Sequence, residues 1–160
     1  MIRVRNCKIG LLLCSLCGWI INPVLAASAA IIDTILTDNI ATTDLPIKVK
    51  DTFSQNTPVI YVIWTSDKLQ AGQKVKIVWI ADDTNNVAAA NYKIDSMDLL
   101  LDKDGKGSLS STLPDNSWGG HFMVTKPTNG WPLGKYHAEL YVDGELATKV
   151  PFTITERKLE

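Results

Sequence analysis

The stretch Lys135–Thr155 reads KYHAELYV, then Asp143-Gly144, then ELATKVPFTIT. In its first part Tyr136, Ala138, Leu140 and Val142 alternate with Lys135, His137, Glu139 and Tyr141. A period of two places successive side chains on opposite faces of a strand. Asp-Gly between two such runs is a tight hairpin signal, because a type I′ turn needs positive φ at both central residues. The end of the chain is therefore expected to be two antiparallel strands, with Tyr136, Ala138, Leu140 and Val142 facing a core. His137 would share the outer face with Glu139 and Tyr141.

Moving toward the N-terminus, similar runs recur between turn signals. PVIYVIWT (58–65) is β-branched and aromatic, and QKVKIVWIA (73–81) sets Val75, Ile77 and Trp79 against Lys74 and Lys76. Tyr92–Leu101 leads into the charged turn Asp102-Lys103-Asp104-Gly105-Lys106-Gly107, and Ser108–Leu113 returns from it. His121–Thr125 follows Gly119-Gly120, and Pro127–Gly130 is a turn. Short runs at this spacing, about seven of them, predict an all-β fold, a single antiparallel sandwich over 52–156. No helix is expected inside it.

The other end differs. Arg3, Arg5 and Lys8 precede an apolar run from Ile9 to Ile21, which Asn22-Pro23 breaks. Val24-Leu25-Ala26 then offers small or tolerated residues at a signal-peptidase site. This tripartite pattern predicts an export signal over 1–26, removed from the working protein. The run is shorter than the roughly 20 residues of a membrane span. Cys14 and Cys17 each follow a leucine, which suits lipidation poorly. All three cysteines, Cys7, Cys14 and Cys17, lie in the signal, so the remainder is expected to carry no thiol, disulfide or thiolate metal site.

Taking Arg3, Arg5 and Lys8 from 16 basic residues leaves 13 against 17 acids, a formal charge of −4. A mildly acidic domain lacks the basic surface that nucleic acid requires, so no nucleic-acid partner is expected. Residues 27–51 read as a leader: Ile31, Ile32, Ile35, Leu36 and Ile40 fall near helical spacing, which fits a short amphipathic helix or a tether. Ile35 and Leu36 would then meet the domain or a partner.

The motif Trp131-Pro132-Leu133-Gly134-Lys135-Tyr136, with Leu140-Tyr141-Val142-Asp143-Gly144 and Pro151-Phe152-Thr153-Ile154, resembles the last two strands of immunoglobulin-like or fibronectin-III-like sandwiches of exported bacterial proteins. The resemblance implies a tyrosine corner at Tyr136, a core tryptophan at Trp79 and Trp131 against the core. It implies no particular task, since such folds host many.

Chemistry-bearing constellations are sparse. Counting from Asp102, an EF-hand-type loop fails at Lys106 and Leu113. His121 and Met123 share a strand face, and imidazole with thioether suits Cu(I), with Met97 or His137 as a third ligand. That is the metal alternative; otherwise no metal and no cofactor is expected. No G-x-S-x-G elbow is present, and His137 on an open sheet face lacks an enclosing pocket, so no enzyme is expected. Trp118, in the loop-like setting Asp115–Gly120, is the candidate anchor for a protein partner or a sugar. The expectation is a non-catalytic periplasmic or secreted module that binds a protein partner in the cell envelope. Copper handling and carbohydrate binding are the alternatives.

Overall fold

The computed structural model describes residues 32–40, 47–102 and 117–156. The signal expected over 1–26, much of the leader and the strand expected at Ser108–Leu113 lie outside these residues. The described chain is all-β, as expected, with eight strands: β1 (Asp33–Thr37), β2 (Thr52–Ser54), β3 (Val59–Ser66), β4 (Lys74–Asp83), β5 (Tyr92–Leu100), β6 (Trp118–Thr125), β7 (Gly134–Val142) and β8 (Glu145–Thr155). They form a three-stranded sheet in the order β1-β3-β6 and a five-stranded sheet in the order β2-β8-β7-β4-β5.

One apolar core draws on both sheets. Ile60, Val62 and Trp64 of β3 and Phe122 and Val124 of β6 join Val75, Ile77 and Trp79 of β4, Tyr136, Ala138 and Leu140 of β7, and Phe152 and Ile154 of β8. These are the alternating positions of each strand, so period two fixes which face is buried. Aromatic rings organise the five-stranded side. Tyr136 stacks on Phe152 at 5.3 Å, while Phe53 and Trp79 meet Phe152 edge-on at 5.9 and 6.1 Å. Trp131 is buried, as expected, and its Nε1 donates to the Thr57 carbonyl at 2.9 Å.

One tight turn carries the β7–β8 hairpin. Asp143 and Gly144 adopt φ of 50° and 92°, the signs of a type I′ turn. Asp143 also reaches back across the sheet, where its Oδ1 accepts from the Lys74 amide at 2.9 Å.

The leader departs from expectation. Asp33–Thr37 is neither helix nor tether but strand β1, antiparallel to β3 with Ile35 opposite Ile63 and Leu36 opposite Val62. Its apolar residues fit both periodicities, and pairing with β3 decides between them; strand preference follows context more than local sequence. Leu36 is 3 % exposed and belongs to the core, so it cannot meet a partner.

Gly134 opens β7 where there is no room for a side chain. Its φ is +149°, and a Cβ there would stand 2.0 Å from the Asp83 carbonyl oxygen. The register slips between Ala81 and Asp83 at this point, which lets the two backbones close in. Gly134→Ala should lower stability by about 3 kcal/mol or more in urea unfolding. A loss below about 1 kcal/mol would mean that the corner tolerates displacement.

Candidate functional site

The outer face of the five-stranded sheet holds an unusual polar chain. His137, Glu139 and Tyr141 project from β7 on the side opposite Tyr136, Ala138 and Leu140, as period two requires. Register places His137 between Ile80 of β4 and Pro151 of β8, and Glu139 between Val78 and Lys149. His137 is nevertheless only 2 % exposed. The open-face position expected for it is corrected: alternation gives its face, but residues from other strands cover it.

Asp82, at the end of β4, brings its Oδ1 within 2.6 Å of His137 Nδ1. That approach lacks hydrogen-bond alignment, so Asp82 meets the ring by proximity alone. On the other side His137 Nε2 lies 3.1 Å from Glu139 Oε1. A carboxylate only accepts, so Nε2 carries the proton and donates. The Tyr141 hydroxyl donates to Glu139 Oε2 at 2.6 Å. Asp82, His137, Glu139 and Tyr141 thus form one connected line along the face, and it fixes the direction of the Tyr141 hydroxyl. Around it stand Val78, Ile80 and Pro151, with Lys76, Lys93 and Lys149 beyond. Sequence reading had put His137, Glu139 and Tyr141 on one face. It could not supply Asp82 as a neighbour, because only the β4–β7 pairing brings that residue in.

The other expected site residues are dispersed. Trp118 is not on a loop: it is the first residue of β6, opposite Ser66, half-buried and packed against the core. Gly119-Gly120, expected in a loop-like setting, is instead strand over which a ring passes, since a Cβ on Gly120 would stand 3.1 Å from the Trp64 indole. Ile35 lies on the outer side of the three-stranded sheet beside Ile63, which in turn faces His121. His121 and Met123 do share that outer face. Met123 is 47 % exposed, and the His121 ring meets Tyr61 edge-on at 6.1 Å. Neither proposed third ligand can join them, because Met97 packs toward the core from β5 and His137 faces away from it on β7. Among the described residues no group of three or more His, Cys, Asp or Glu converges as a metal site.

No family model matches the chain, and no curated protein sequence does. A solved structure that resembles it is the Pseudomonas fluorescens alkylpurine DNA glycosylase AlkC bound to DNA containing an abasic site analog, at 12 % identity and a TM-score of 0.43. The likeness covers 79 % of this chain and 30 % of that one. This neighbour is an enzyme with DNA bound, so the exclusions of enzymes and of nucleic acid drawn from composition and motifs are withdrawn. At this TM-score it assigns neither activity nor ligand to the present chain.

The polar chain has a titration signature. The hydrogen bond from Tyr141, and secondarily the contact with His137, hold the Glu139 carboxyl below its ordinary value against the opposing effect of burial. Its partner moves the opposite way: accepting the bond makes Glu139 raise the Tyr141 hydroxyl. A depressed carboxyl stabilises the fold above the ordinary glutamate range, about 4.3. That contribution is lost as pH falls through the lowered value. The urea midpoint of the native sequence should therefore fall more between pH 7 and pH 3 than that of Glu139→Gln. Equal losses in the two proteins would show that the line of contacts contributes nothing to folding.

Proposed function

We propose that this chain is an exported, immunoglobulin-like recognition module that binds a protein partner in the cell envelope through the outer face of its five-stranded sheet. Export rests on the tripartite pattern of residues 1–26. The fold assignment is supported by strand order. In immunoglobulin lettering β1-β3-β6 corresponds to A-B-E, and β8-β7-β4-β5 to G-F-C-C′. A fully buried tryptophan, Trp79, sits on the strand equivalent to C. The Tyr136 hydroxyl donates to the Pro132 carbonyl four residues upstream at 2.6 Å, as in a tyrosine corner.

The observation that carries the functional reading is the line Asp82–His137–Glu139–Tyr141. Desolvating an imidazole and a carboxylate beside each other is no better for stability than placing aliphatic side chains there, and is often worse. The core does not use these groups, because they lie on the far side of the sheet. Their effect is to hold Glu139 and the Tyr141 hydroxyl in one geometry at the surface. Preorganised polar groups beside apolar ones (Val78, Ile80 and Pro151) lower the ordering cost of an association. Tyrosine is also among the residues that most often anchor interfaces.

Two measurements test the proposal. Sequencing of the protein recovered from envelope fractions should begin at Ala27; an intact Met1 terminus would remove the export reading. A photo-crosslinking amino acid at Val78, in the native full-length chain in cells, should give a discrete protein adduct. The same group at Val87, which is 70 % exposed on the β4–β5 loop, should not. Adducts from Val87 alone, or from neither position, would sink the assignment of the face.

A further inference from the structure

The proposed face has a charge pattern of its own. Three of its carboxylates are engaged within the sheet. Asp98 is paired with Lys74 at 2.7 Å, Asp82 with His137, and Glu139 with His137 and Tyr141. Lys76, Lys93 and Lys149, by contrast, make no ion pair with the described residues. Register places them around the apolar strip: Lys76 two residues before Val78 on β4, Lys93 opposite Ile80, and Lys149 opposite Glu139. Lys76 and Lys93 attract Asp98, and Lys149 attracts Glu139, without direct contact, so these ammonium groups remain free to pair with a partner while Asp98 and Glu139 are already hydrogen-bonded. The chain as a whole has the opposite sign, with a formal net charge of −1.

Resting on the reading of this face as an interface, we infer that its partner is a protein whose contact surface carries acidic side chains around an apolar centre. Val78, Ile80 and Pro151 would meet that centre, and Lys76, Lys93 and Lys149 its carboxylates. A polyanion fits less well. A phosphate or sulfate backbone favours an unbroken row of cations, whereas here Asp98 and Glu139 interrupt the lysines. The apolar strip also offers such a backbone no donors. Rim charges of this kind mainly accelerate encounter and select partners, and their influence fades over a Debye length of about 10 Å at 0.1 M salt.

The test uses the full-length chain with the crosslinker at Val78. The adduct is first compared between the native lysines and Lys76→Glu/Lys93→Glu, with Lys68→Glu/Lys126→Glu as a reversal away from the face. Lys76→Gln/Lys93→Gln serves if the reversed protein is unstable. The purified chain is then titrated, with amide NMR as readout, against a random glutamate–tyrosine copolymer and against heparin. The reversal on the face should reduce the adduct at least fivefold, neutralisation should reduce it less, and the distant reversal should leave it unchanged. The copolymer should shift Val78, Ile80 and Tyr141 at lower concentration than heparin. An adduct of undiminished yield in both face variants would overturn the acidic partner while leaving the interface intact. Heparin binding ahead of the copolymer would overturn the choice of protein over polyanion. Absence of any adduct with native lysines would overturn the interface and this inference together.

Discussion

Phe152 is the point on which four strands agree. Its ring is met by Phe53 of β2, Trp79 of β4 and Tyr136 of β7, and Trp131 packs in turn on Tyr136 at 6.2 Å. Edge-on and offset arrangements of this kind add to the burial of large apolar area. A ring so placed is worth about 3–5 kcal/mol on truncation to alanine. That is a large share of the 5–15 kcal/mol that a typical domain commands. Because each strand contributes one ring at one position, the cluster also fixes register. A slip of one residue would send every ring to the opposite face.

Everything on the outer face follows from that register. With Tyr136 inward, His137 must point outward, and with Trp79 inward, Ile80 and Val78 must lie beside it. The line from Asp82 to Tyr141 is thus assembled by the core without being part of it. Tyr136 and Tyr141, on the two faces of β7, show the division in their titration. Burial alone pushes the Tyr136 hydroxyl up to about 12, while Tyr141 is raised first by the carboxylate it donates to. One tyrosine answers to the packed interior and the other to a specific partner at the surface.

What the sequence disclosed, and what it withheld, divides along the same line. Alternation in β4 and β7 and the Asp143-Gly144 turn were legible because they are local. Gly134 and Tyr136 were legible as a corner because such corners are built within a few residues. The burial of His137 was not, since it depends on Asp82 and Pro151, which are near only after pairing. Ile32, Ile35 and Leu36 fit a helix or a strand equally well, and only β3 resolves the choice. Trp118 stands between polar turn-forming residues and two glycines, a composition that also suits a strand crossed closely by the Trp64 ring. Expectations drawn from missing motifs fared worst, because enzymes and nucleic-acid binders cannot be excluded by composition alone.

The N-terminal part of the described chain does not stay in one sheet. β1 runs antiparallel to β3 in the smaller sheet, whereas β2 runs parallel to β8, with Phe53 opposite Ile154. The amide of Thr153 donates to the Asp51 carbonyl and that of Gln55 to the Thr155 carbonyl, extending the contact at both ends. The parallel pairing of β2 with β8 has a mechanical consequence. A pull that enters at the start of β2 and leaves beyond Glu156 acts along both strands in opposite directions. It loads their hydrogen bonds together in shear rather than opening them one at a time. Tension applied between Asp51 and Glu156 would therefore be resisted by the short β2–β8 seam first, before the larger core is stressed.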